Sequence, residues 1–126
     1  MPYRMRAAIA VVAIGLGACA AEVVRQQADF TPVAAAAARA EIEITEDVEV
    51  PVSRNYNRVL ARGSRWQLVG TTPQGRVYRR SDGVFTVEGA HVHEAYLVLA
   101  ADRLVGFYLP VEKAFSPTTP VTIKFK

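Results

Sequence analysis

From Glu41 onward the chain alternates. Ile42, Ile44, Val48, Val50 and Val52 fall on one parity, and Glu41, Glu43, Asp47 and Glu49 fall on the other. A period of two with one apolar side predicts a half-buried strand whose outer face is acidic. Ser53 then reads as the cap of a short helix over 54–62, ended by Gly63. In that helix Tyr56, Val59 and Leu60 make an apolar stripe, and Arg54, Arg58 and Arg62 lie four apart on another face. Beyond it, the runs Arg65 to Thr71, Arg76 to Arg80 and Val84 to Glu88 are separated by Thr72-Pro73-Gln74-Gly75 and Asp82-Gly83. Turn residues in those places predict a three-stranded meander. His91 to Ala100 and Leu104 to Leu109 make the next hairpin, turning at Ala101, Asp102 and Arg103. Tyr96 to Ala101 is apolar on both parities, as expected of a central strand covered on both faces. Pro110 to Pro120 is the one long loop, and Val121, Ile123 and Phe125 alternate with polar residues in a closing strand. Residues 41–126 therefore predict a mainly β domain, a small antiparallel barrel or sandwich of about seven short strands with one short helix. An α+β arrangement is the fallback.

The stretch before this domain has a different texture. Residues 20–40 are rich in alanine, with Ala34 to Ala38 consecutive, and offer little surface to bury. They read as a tether, and Thr31-Pro32 ahead of the alanines reads as an N-cap with proline at the first helical position. The alternative is a helix packed on the domain.

Further upstream, Arg4 and Arg6 precede Ala7 to Gly17, an unbroken apolar stretch followed by Ala18, Cys19 and Ala20. This is the charged-then-apolar order of an export signal, and it is short for a membrane-spanning helix, which needs roughly 20 apolar residues. Leu16-Gly17-Ala18-Cys19 resembles the lipobox of bacterial lipoproteins. The resemblance implies that the Cys19 thiol takes a diacylglycerol, that residues 1–18 are cut away after Ala18, and that the new amino group is acylated. Two or three acyl chains hold a protein firmly on a bilayer. An Asp after the lipidated cysteine retains such proteins in the inner membrane of many Gram-negative bacteria, and here the residue is Ala20. The expected location is the outer membrane, facing the periplasm.

Charge and cysteine content narrow the functional classes. The 15 Lys and Arg against 12 Asp and Glu give +3, but Arg4 and Arg6 lie in the removable segment. The remainder is nearly neutral and has no interleaving of aromatic and basic residues, so nucleic acid is not an expected partner. Cys19 is the only cysteine, so no disulfide supports the fold. With that thiol acylated, the chain has no thiol nucleophile, no phosphate loop and no nucleophile elbow, and no enzymatic activity is expected.

Three features remain as candidate chemistry. His91 and His93, one residue apart on a strand, point to the same side and could share a metal ion, although no third ligand is placed by spacing; the alternative is two histidines making ordinary hydrogen bonds. Arg54, Arg58 and Arg62 belong to seven arginines between Val50 and Ser81 with no acid among them, a candidate face for an anion or an acidic partner. The alternative is mutual screening with the acidic strand. Phe115, on a loop with three prolines, is a candidate anchor for a protein partner, or else a lid on the core. The reading is a lipid-anchored, non-catalytic envelope component that binds an envelope protein, needing no cofactor beyond the lipid on Cys19. A small-ligand binder, an inhibitor of a lysozyme-like hydrolase and a metal-binding lipoprotein are the alternatives.

Overall fold

The computed structural model describes residues 23–53 and 56–126. Its strands are β1 (Gln26–Gln27), β2 (Thr31–Pro32), β3 (Glu41–Glu43), β4 (Val48–Ser53), β5 (Tyr56–Leu60), β6 (Arg65–Thr72), β7 (Gly75–Arg80), β8 (Thr86–Glu88), β9 (Val92–Glu94), β10 (Tyr96–Ala100), β11 (Arg103–Leu109) and β12 (Ala114–Thr122). The main sheet is antiparallel and curled into a half-barrel, ordered β1-β12-β11-β10-β7-β6-β2, with β3 also paired to β6. Two hairpins, β4–β5 and β8–β9, are separate small sheets.

The central position of β10 follows from its apolar composition. It lies between β7 and β11, sends Leu97 and Leu99 into the core inside the curl, and sends Val98 to the opposite face. The inner core joins Trp66, Leu97 and Phe107 of the sheet to Val50, Leu60 and Val87 of the two hairpins. A smaller cluster of Val77, Val98, Tyr108 and Phe115 occupies the outer face. The hairpin turn at Ala101 is as expected, with that residue at φ 55°.

Four expectations are corrected. Among the described residues no α-helix occupies 54–62: Tyr56–Leu60 is a strand paired with β4, with Val48 opposite Leu60 and Val50 opposite Arg58. The period of two wins because it buries Leu60 beside Val50 and leaves Val59, which the helix would bury, 56% exposed. The meander is also redistributed. β8 pairs with β9, and β7 takes β10 as its outer neighbour. The stretch 91–100 is accordingly split at buried Ala95, whose N–H donates to the Phe85 carbonyl at 2.9 Å.

The proline-containing segment is a strand too, since β12 pairs with β11 over Ala114–Pro117 and again at Val121 and Thr122, with a register shift between. Its outer neighbour β1 covers only Ala114 and Phe115, so Pro117 lies where β12 is a sheet edge, and Pro120 falls in the register shift, where it has no ladder partner to miss.

Finally, from Val23 onward the alanine-rich stretch is part of the fold. Val23 is buried, β1 and β2 extend the sheet at its two ends, and Thr31–Pro32 is extended rather than a helix cap. Of the expected helix only a single 3₁₀ turn, Ala37–Arg39, remains. The outer apolar face demands cover, and Phe30 supplies it by stacking on Tyr108 at 4.8 Å. The alanines are fastened through backbone: Gln67 Nε2 donates to the Ala38 carbonyl, and Leu68 N–H to that of Ala40 at 2.8 Å.

Candidate functional site

Cys19, the lipobox residues Leu16, Gly17 and Ala18, and Arg54 lie outside the described residues. Arg58 and Arg62 do not share a face. Arg58 stands on the half-buried side of β5, its guanidinium carbon 4.6 Å from the centre of the Phe85 ring. Its Nε is buried with no hydrogen-bond partner among the described residues. Arg62 is in the exposed turn after β5, where its backbone N–H donates to Asp47 Oδ1 at 2.6 Å.

The acidic strand is answered mainly from elsewhere. Glu43 pairs with Lys126 and Glu46 with Lys124, each at 3.3 Å, while Arg65 lies 3.9 Å from Glu41. Glu49 accepts from Asn57 at 2.9 Å. Arg80 is held by Asp82 at 3.1 Å and lies over Trp66. The contiguous arginine face expected from four-residue spacing disappears because spacing on a strand and its turn is not spacing on a helix.

Phe115 is 3% exposed and belongs to the outer cluster, so it is no exposed anchor. It fills the space left by Gly106 on β11, where a β-carbon would collide with the Phe115 ring and the Ser116 carbonyl.

The histidines do come together, with ring centroids 6.5 Å apart, but edge to face and unequally buried. His91 is exposed. His93 is buried, and its Nδ1 is 2.7 Å from Glu112 Oε1 in the β11–β12 turn. Glu112 Oε2 is buried with no partner among the described residues. No group of three or more metal-ligating side chains occurs among them.

The arrangement best suited to binding was not singled out by sequence. On the outer face, Phe30, Val69, Tyr96, Tyr108 and Pro110 line an open cleft of about 340 Å³ with Arg79 and Lys113. Each side chain has a structural reason to be there. Tyr96 and Tyr108 are cross-strand partners on β10 and β11, with rings 6.3 Å apart, and Phe30 is stacked on Tyr108 at 13°. Gly70 on β6 makes room for the Phe30 ring, which a β-carbon would displace. Lys113 ends the β11–β12 turn at φ 53°. The cleft therefore offers aromatic and aliphatic walls beside two cations, a lining for an apolar group that carries a negative charge. The sequence signal for it was Phe30, the only aromatic in the alanine-rich stretch, together with a central strand that needed a second cover.

Burial pushes the Tyr96 phenol above its ordinary value near 10; the Glu94 carboxylate adds to this, and Arg79 opposes it. Tyr108 is raised as well, by burial and then by Tyr96. A phenol whose pKa is higher in the folded protein favours folding in its neutral form. This contribution is complete below about pH 10 and is lost as pH rises through the folded value. The double variant Tyr96→Phe/Tyr108→Phe should therefore lose less stability than the parent as pH is raised above about 10. Parallel denaturation midpoints across that range would exclude it.

No protein-family model, curated protein or solved structure matches the chain.

Proposed function

We propose that the chain is a non-catalytic lipoprotein of the outer membrane, anchored through lipid on Cys19 and facing the periplasm, that binds an envelope protein in the outer-face cleft. The observation that carries the binding half of this reading is the lining of that cleft, with Phe30, Tyr96 and Tyr108 beside Arg79 and Lys113. It suits an apolar side chain of a partner flanked by a carboxylate. The anchoring half rests on Leu16-Gly17-Ala18-Cys19. Anchoring confines the domain to a thin layer beside the membrane and so raises its effective concentration for a partner there.

The two halves are tested together in intact cells. Labelled palmitate should enter the full-length protein and be absent from Cys19→Ala. A photo-crosslinking residue at Val69, in the cleft wall, should capture one envelope protein, while the same residue at Val59, on β5, captures none. Absence of the lipid label overturns the anchor, and equal capture from both positions overturns the cleft.

A second reading, a small amphiphilic anion as ligand, draws on the cleft volume, which lies within the roughly 300–1,000 Å³ typical of small-molecule sites. Native mass spectrometry of the purified protein separates it from the first by a bound mass that Arg79→Glu abolishes.

A further inference from the structure

We infer that the end of the domain carrying the β11–β12 turn rests on the phospholipid surface into which the Cys19 lipid inserts, with Val111 and Val92 at the acyl boundary and Arg25 and Lys113 on headgroup phosphate. The inference rests on the lipoprotein reading above.

The first support is chain length. Only four residues lead from Cys19 to Val23, which is buried in the inner core. Four residues span about 14 Å at most. An acylated Cys19 therefore cannot hold the domain far from the bilayer, as a tether ending at residue 40 would. It must hold the domain by the end where residue 23 enters.

That end is identified by the residues just after Val23. Arg25, Gln26 and Gln27 share a surface hollow with Glu112, Lys113 and Ala114, and Gln27 is the register partner of Ala114. The anchor thus enters beside the β11–β12 turn.

The surface there is amphipathic. Val111 is 77% exposed, Val24 71% and Val92 64%, three of the five exposed large apolar side chains among the described residues. Val24 adjoins Arg25, while Val111 and Val92 adjoin Glu112 and His93, which bind each other at 2.7 Å. That pairing turns the turn's only carboxylate inward and leaves Lys113 and Arg25 as the cations beside Val111, while exposed Glu88 stands opposite Val92 on β8. Exposed apolar side chains beside cations are the combination that settles at the headgroup and acyl boundary.

The test uses the full-length lipidated protein in phosphatidylethanolamine and phosphatidylglycerol vesicles. Acylation of Cys19 consumes the only native thiol, so an introduced cysteine can be labelled alone. An environment-sensitive fluorophore is placed at Val111→Cys and, separately, at Asp102→Cys. Asp102 lies in the turn at the other end of β11, a strand of seven residues or about 23 Å. Flotation with the vesicles reports the anchor, and quenching by spin-labelled lipid reports the face. The expected result is that both proteins float and that quenching at 111 exceeds quenching at 102 several-fold. Equal quenching in floating protein overturns the inference and leaves the anchor intact. Failure to float overturns the lipoprotein reading, and the inference falls with it.

Discussion

Trp66→Ala is expected to lower the free energy of unfolding by about 3–5 kcal/mol, a large share of the ~5–15 kcal/mol that a single domain has. Trp66 is fully buried on β6, where it joins the sheet to both the inner core and the turn behind it. Phe85 meets its ring edge to face at 5.3 Å, and Arg80 lies over it at 5.9 Å. The indole Nε1 donates to Ser64 Oγ at 3.0 Å, and that hydroxyl donates to the Ala61 carbonyl at 2.6 Å. Alanine would leave a cavity the size of an indole and remove the donor to Ser64. Trp66→Phe restores most of the volume but not the donor, so its loss should be nearer 1 kcal/mol. Urea denaturation followed by circular dichroism measures both, since Trp66 is the only tryptophan and its fluorescence is lost with it. A loss below about 1 kcal/mol for Trp66→Ala would mean that the sheet and hairpins do not share the core described.

Gly70→Ala should destabilise by about 1–3 kcal/mol, and the cost should shrink when Phe30 is already alanine. An added β-carbon at Gly70 meets the Phe30 ring and the Thr31 carbonyl, so the ring must leave its stack on Tyr108. Phe30→Ala alone removes a half-buried ring and should cost about 2 kcal/mol. If the ring is the main obstacle, the double variant loses less than the sum by at least about 0.5 kcal/mol. Strict additivity would mean that Phe30 does not lie over Gly70 and that the cleft wall is built otherwise. Because Phe30 belongs to the stretch that composition assigns to a tether, this cycle also measures whether that stretch belongs to the folded domain.

The arginines and histidines show why a candidate site is harder to read than a fold. Four-residue spacing put Arg54, Arg58 and Arg62 on one face only on the assumption of a helix. The choice between helix and strand over 56–60 depended on whether Val59 found a core beside Leu60, which distant residues settle. His93 was placed on a strand correctly, but its partner Glu112 is nineteen positions away and reaches it because the antiparallel β10–β11 register, with Tyr96 opposite Tyr108, carries the residues before β10 to the turn after β11. No spacing rule connects two such residues.

Local alternation along the chain determined the β class, the buried parity of Ile42, Ile44, Val50 and Val52, and the doubly covered central strand. The first two depend on a period of two and the third on a run apolar on both parities, patterns that neighbouring residues carry themselves. What covered the second face of that strand, which hairpins left the main sheet and how the outer cleft was lined were decided only by tertiary structure. Apolar area is satisfied by whichever segment can reach it, and alanine content does not reveal that a single phenylalanine will. Phe30 follows no periodic pattern in sequence, yet by closing the outer face it turns an alanine-rich stretch into part of the domain and provides one wall of the cleft.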